Sequence, residues 1–276
     1  MHFARPEIEN KITFSKNDSL YKYFPIERIF DFIDNGLVRF TVPFVFNDPF
    51  EIMPIWVRHN WSPLPGEKNL FLGLDKENPL TYFGVLSLTD SPDNHLMWSH
   101  YTNSYKGFVI EFDKNHNFFK TNYTQTDFSL LRKVTYTDKP PFLNGTDKDN
   151  LISYRDNYMQ KSKLDFTNYP FHLYFTKNNV WSYENEWRLL KFRDNADKVI
   201  KPNESNISSN PTFDFENIHL FQIPFDAVKS IILGAAMSEN KEFNEEIRNN
   251  EKLKHIKLYH SMISVEKYSI LFREMN

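Results

Sequence analysis

The sequence predicts an α+β fold in a single domain, with mixed and mostly antiparallel sheets and peripheral helices. Three observations predict it. Aromatic residues make up 17% of the chain and fall in short alternating runs rather than long heptads, the pattern of strands that pack against a core. Helical spacing is confined to a few short stretches between those runs. No linker-like segment and no internal repeat divides the chain, so residues 1–276 read as one domain with its core over about 18–270. A chain of this length buries roughly three quarters of the surface its unfolded form exposes, enough to hold a core without disulfide or metal.

Ser19-Leu20-Tyr21-Lys22-Tyr23-Phe24 reads as the first strand. Pro25 then opens a helix through Ile26, Ile29, Phe30 and Ile33, and Asn35-Gly36 ends it, because Gly takes the left-handed position past a last turn. Leu37–Phe40 is a short strand stopped by Pro43. Residues 54–80, with Pro54, Pro63, Pro65, Gly66 and Pro79, read as loops and broken helix. Strands follow at 82–88 and 106–112, with a helical turn between them on which Leu96, Met97 and Tyr101 face the core while His95 and Trp98 line a pocket. Further on come a strand at 132–136, helix within 150–178, a strand at 187–192 and an exposed Asn/Ser/Pro-rich loop over 196–216. Strands around 218–222 and 228–234 and a helix capped by Ser238 precede a last strand at 255–259.

Composition removes several function classes. With no Cys there is no thiol nucleophile, thiolate zinc site, iron–sulfur cluster or disulfide framework. A formal charge of −3 argues against holding nucleic acid by bulk electrostatics. No stretch approaches the ~18–20 apolar residues of a membrane span and the start lacks a signal-peptide core, so the expectation is a soluble cytoplasmic protein that makes no membrane contact. Glycine-rich dinucleotide and phosphate loops, His-Glu-x-x-His and Gly-x-Ser-x-Gly do not occur.

Three clusters carry residues capable of chemistry. In Phe46-Asn47-Asp48-Pro49-Phe50-Glu51, Asn and Asp before Pro form a turn. Either Phe46 and Phe50 are simply buried around it, or Asp48 or Glu51 points into a cleft as a ligand-binding or metal-binding carboxylate. Around Ser87 and Asn94–Tyr101, Trp98 and Tyr101 are either core aromatics or stacking groups in a pocket. His95 and His100 are five apart, which fits no helical zinc pair. In Trp181–Leu190, a strand extended back would place Glu184, Glu186 and Arg188 on one face with Leu190 and Phe192. A carboxylate at a core edge needs a partner, and Arg188 is the nearest candidate.

Leu20-Tyr21-Lys22-Tyr23, Arg39-Phe40, Asn47–Glu51, Met97–Tyr101 with Gly107, and Trp181-x-Tyr183-Glu184-x-Glu186-Trp187-Arg188, in that order, resemble the bacterial family catalogued as domain of unknown function 2971, over about residues 18–270. That family name implies no activity. One level further out, a polar residue on a first strand, a helix with a Gly-ended turn, a Ser/Tyr element and a late Glu-x-Glu look like the order of parts in ADP-ribosyltransferases. That resemblance implies an NAD-holding group at Lys22 or Tyr23, where the superfamily has Arg or His, and a second at Ser87 or Tyr101. It also implies a catalytic carboxylate at Glu186 or Glu184, which stabilises an oxocarbenium-like transition state as nicotinamide leaves.

The sequence therefore supports three readings. The first is an NAD-consuming mono-ADP-ribosyltransferase-like effector with NAD as substrate and a protein or nucleic-acid target, by analogy a toxin or phage-defence component; Lys22, Tyr23, Arg39, Ser87, Trp98 and Tyr101 hold the nucleotide. The second is a hydrolase or nuclease that uses Asp48, Glu51, Glu184 and Glu186 around Mg or Mn. The third is a non-catalytic ligand-binding or regulatory protein whose Trp98, Tyr101 and Trp187 line a recognition cleft.

Overall fold

The computed structural model describes residues 3–4, 12–15, 17–52, 79–124, 126–142, 145–160, 164–201, 217–237, 245 and 247–275. Strand β1 (Phe3–Ala4) precedes β2 (Ser19–Phe24). A 3-10 turn and α1 (Ile29–Asn35) follow, and α1 buries Ile29, Phe32 and Ile33 at helical spacing. Gly36, at φ 65, takes the left-handed position and gives its N–H to the Phe32 carbonyl (2.6 Å), which ends the helix.

Then come β3 (Leu37–Phe40), β4 (Phe83–Thr89), α2 (His95–Tyr101), β5 (Phe108–Asp113), β6 (Asn122–Tyr123), β7 (Phe128–Lys133) and β8 (Thr135–Thr137). The chain continues through α3 (Gly145–Met159), β9 (Thr176–Asn178), β10 (Glu186–Phe192), β11 (Lys198–Ile200), β12 (Ile218–Gln222), β13 (Val228–Leu233), β14 (Lys257–Ser264) and β15 (Ile270–Glu274). The architecture is α+β with a large, mostly antiparallel sheet.

That sheet runs β1-β14-β13-β5-β2-β4-β10-β7-β6, with β15 also on β14. Only the β13–β14 and β1–β14 pairs in it are parallel. A three-stranded sheet β11-β12-β3 and a parallel pair β8-β9 complete the pattern. Between β2 and β4 the pairing is reduced to one position, Tyr21 opposite Thr89, so the sheet is split at its centre. β2 instead pairs along its whole length with β5.

Hydrophobic residues gather in three clusters. One lies under α1 and β3, around Phe32, Phe40, Phe112 and Ile231. A second is rich in aromatics: Phe83 sits within 6.2 Å, centroid to centroid, of Phe128, Phe166, Tyr169, Phe171, Tyr174 and Phe192. The third joins Tyr21, Tyr23 and Trp98 to Tyr259 and Phe272. A buried carboxylate, Glu111, ties three strands together, accepting from Ser19 Oγ (2.7 Å) and Ser230 Oγ (2.6 Å). Gly107 is required by packing, because a Cβ there would stand 2.0 Å from the Phe24 carbonyl oxygen.

Several expectations are corrected. The strand expected at 132–136 is two strands broken at Val134, where β8 leaves the large sheet to pair with β9. The helix within 150–178 stops at Met159, since Phe166, Tyr169 and Phe171 converge on Phe83, whereas a continued helix would spread them around its circumference. β11 occupies the start of the loop expected at 196–216. Residues 181–184 are a 3-10 turn, not strand, and β10 begins at Glu186. The loops expected within 53–78, the remainder of the 196–216 loop from 202, and the Ser238 cap lie outside the described residues. No helix among the described residues is long and apolar enough to cross a membrane.

Candidate functional site

Where β2 and β4 part, a cavity of about 250 Å³ opens, lined by Tyr21, Lys22, Tyr23, Arg39, Asn47, Glu51, Ser87, Tyr101, Lys177, Glu184, Glu186 and Arg188 among others. Register explains part of this convergence. Thr89 lies opposite both Tyr21 and Glu186, and Ser87 lies opposite Arg188, so strand alternation presents Glu186, Arg188 and Ser87 on one face. Lys22 crosses the split, its Nζ donating to the Ser87 carbonyl (3.0 Å) on the edge of β4 that β2 leaves unpaired there.

Glu184 reaches the same place from the turn before β10. Thr89 Oγ1 donates to the Glu184 carbonyl and Asn94 Nδ2 to the Tyr183 carbonyl, both at 2.6 Å, and Asn185 reverses the chain at φ 46. Parallel pairing with β8 places β9 alongside, with Lys177 at its middle pointing inward.

The result is a buried array of three carboxylates and two cations. Lys177 Nζ stands 2.7 Å from Glu184 Oε2, 3.1 Å from Glu186 Oε2 and 3.2 Å from Glu51 Oε1. Arg188 gives Nε to Glu186 Oε1 (2.8 Å), Nη2 to Glu186 Oε2 (3.0 Å) and to Glu51, and Nη1 to the Tyr174 carbonyl (2.6 Å). The Tyr101 hydroxyl donates to Glu184 Oε1 (2.6 Å). Side-chain exposure across Lys177, Arg188 and the three Glu residues is 4% or less, so the array is largely withdrawn from bulk water although it lines the cavity.

Charges this deep stay ionised only when paired. Burial by itself would lift the Glu186 carboxyl, but Arg188, Lys177 and the Ser87 hydroxyl hold it at about 2. Burial prevails at Glu51, which is raised despite Arg188 and Lys177. Lys177 and Arg188 are both raised, because the carboxylates outweigh their own desolvation. Lys22 goes the other way: burial pushes it down to about 8, with Glu186 holding it up and Arg39 pressing it down.

The sequence-derived candidates can now be placed. Lys22, Tyr23, Arg39, Asn47, Glu51, Ser87, Tyr101, Glu184, Glu186 and Arg188 all line the cavity. Trp98 does not: it is fully buried in the third cluster, and its Nε1 donates to the Pro92 carbonyl (2.7 Å). α2 docks with Met97 and Trp98 inward and leaves Leu96 46% exposed, the reverse of the expected arrangement for Leu96 and Trp98. Asp48 lies outside the cavity too. Its Oδ1 caps the turn by accepting from the Phe50 N–H (2.9 Å), which puts Phe50 at the exposed tip rather than in the core.

Residues 97–189 match the model of a family described as a protein of unknown function, DUF2971. The DUF2971 match takes in Tyr101, Lys177, Glu184, Glu186 and Arg188 and leaves Lys22, Arg39, Asn47, Glu51 and Ser87 outside it. No curated protein and no solved structure matches the chain.

Lys177 escaped the sequence reading. It sits in a three-residue strand with no period of its own. The available signal was charge balance, since several buried carboxylates around one Arg call for a second cation. The same pairing bears on metal chemistry: a divalent cation would have to compete with Lys177 and Arg188 for oxygens already engaged. Among the described residues no group of three or more His, Asp or Glu is disposed to hold a metal ion.

Tyr101→Phe deletes the hydroxyl that ties α2 to Glu184. The expected loss is about 1.5–3 kcal/mol, the contribution of a hydrogen bond to a charged group. Urea unfolding checks it, and a midpoint equal to wild type would show that the contact is immaterial.

Proposed function

We infer that the cavity binds NAD and that Glu186 stabilises the ribose cation as the bond to nicotinamide breaks, a mono-ADP-ribosyltransferase-like activity. The observation that carries this reading is Glu186 itself, a buried carboxylate kept ionised at the wall of a cavity. A fixed negative charge in a water-poor site acts on developing positive charge with little reorganisation. Lys22 and Ser87, on β2 and β4 beside β10, supply an ammonium and a hydroxyl from the positions that the resemblance to ADP-ribosyltransferases assigns to holding NAD.

The volume, about 250 Å³, falls just under the roughly 300–1,000 Å³ of pockets that enclose drug-sized ligands. It suits the nicotinamide–ribose end rather than a whole dinucleotide. Glu184 and Glu186 each have both oxygens engaged, Glu184 by Tyr101 and Lys177 and Glu186 by Arg188 and Lys177; what sets Glu184 apart is that its partners tie α2 and β9 to the site.

The test is label transfer from adenylate-labelled NAD into a cell lysate by wild type and Glu186→Gln. The variant is expected to lose on the order of 100- to 1,000-fold in rate, the scale of removing one preorganised electrostatic group, while circular dichroism shows it folded. Protease or nuclease digestion then tells whether the acceptor is protein or nucleic acid. Equal labelling by both forms, or no labelling together with no rise in melting temperature on adding NAD, overturns the reading. Saturable NAD binding without cleavage by wild type would instead make the cavity a recognition site.

A further inference from the structure

Four cations line the cavity from strands at its wall, and they are not equivalent. Lys177 and Arg188 are saturated by carboxylates. Lys22 makes no ion pair among the described residues; its Nζ donates to the Ser87 carbonyl (3.0 Å) and otherwise rests 5.6 Å from the Phe24 ring centroid. One hydrogen bond uses one of three ammonium protons, which leaves two for a group in the cavity that Lys22 lines. Arg39 lines the same cavity and likewise makes no ion pair among the described residues.

We propose that Lys22 Nζ is a nucleophilic amine that captures the carbonyl carbon of a small anionic aldehyde or keto acid, whose carboxylate or phosphate is held by Arg39. A planar guanidinium takes such a group through two parallel hydrogen bonds, and the amine stands free to attack beside it. In the capture step the nitrogen lone pair forms a bond to the carbonyl carbon and the carbonyl π pair moves to oxygen. Both amine protons end on that oxygen, which leaves as water, and an imine remains. No oxidant or reductant is consumed, and the capture stands whether or not NAD is cleaved here.

Reactivity follows from burial. With a pKa of about 8, about one Lys22 in ten is neutral at pH 7, against about one in 2,500 for an exposed lysine near 10.4. The excess of free amine favours Lys22 over the surface lysines that compete for any aldehyde.

The full chain is incubated with glyoxylate and cyanoborohydride at pH 7, and lysines carrying the reduced adduct are timed by peptide mass spectrometry. Lys22 is expected to react about tenfold or more faster than exposed Lys198, the excess set by its larger neutral fraction. Its rate is expected to climb with pH and level off above 8. Arg39→Gln is expected to slow capture of glyoxylate several-fold more than capture of uncharged propanal, which slows only in so far as Lys22 loses the charge that presses it down. Labelling of Lys22 no faster than Lys198 overturns the nucleophile. An Arg39→Gln variant that treats the two aldehydes alike overturns the anionic substrate class.

Discussion

Lys177→Met is expected to lose about 3–5 kcal/mol at pH 7, the range for removing one partner of a buried ion pair, and to recover part of that loss at pH 5. Met keeps the length and volume of the side chain, so the effect isolates the charge. Without the ammonium, Glu184 keeps the Tyr101 hydroxyl and no cation among the described residues, while Glu51 and Glu186 share Arg188 as their one remaining cation. The Glu51 carboxyl, already raised by burial, then rises further and the Glu186 carboxyl rises from about 2, because burial is no longer answered by a second cation.

A group raised in the folded state stabilises fully below its unfolded pKa and loses that contribution as pH climbs through the folded value. The variant therefore gains on acidification. Wild type does not share this gain at Glu186, whose carboxyl is held at about 2 and whose stabilisation is lost only as pH falls toward that value. Urea unfolding of both proteins at pH 7 and pH 5 checks the point. A loss under about 1 kcal/mol, or the same loss at both pH values, would mean that the array behaves like an exposed salt bridge.

Trp98→Ala is expected to lose about 3–5 kcal/mol, the scale for emptying a large aromatic site in a core. Trp98 has no exposed surface, meets Tyr23 edge-on at 5.4 Å and stacks on Tyr105 at 6.2 Å. α2 has only seven residues, too few to persist without tertiary packing. Its anchor also positions Tyr101 over Glu184, so the NAD binding proposed for the cavity should fall in parallel with stability. Trp98→Phe restores most of the packing without the hydrogen bond to Pro92 and should regain most of both. A variant of normal stability that has lost ligand affinity would return Trp98 to the cavity wall.

The third cluster shows why a short amphipathic helix is hard to orient from sequence. His95-Leu96-Met97-Trp98 offers two apolar stripes, one through Leu96 and one through Trp98, and spacing favours neither. The structure selects Trp98 because the β2 side chain Tyr23 packs against it and the Pro92 carbonyl accepts its Nε1 hydrogen. Glu184 offers a second example. Its place in the site was legible, but from the wrong geometry: a 3-10 turn closed by left-handed Asn185 delivers it, where alternation along a strand was expected.

What the sequence determined by itself is local. Strand β2, the helix stopped at Gly36, strands β4, β5 and β10, the capped turn at Asp48 and the candidacy of Glu51, Glu184, Glu186 and Arg188 all follow from periods of two or 3.6 and from turn chemistry. The pairing of Arg188 with Glu186, two residues away, was legible; tertiary structure alone decided that Arg188 also shares its charge with Glu51, 137 residues away. It also decided that β9 brings in Lys177 and that the sheet splits between β2 and β4 to leave Lys22 facing a cavity. The reason is the range of the forces. Backbone preferences act over a few residues, whereas a desolvated charge must be neutralised by whatever part of the chain passes within about 4 Å.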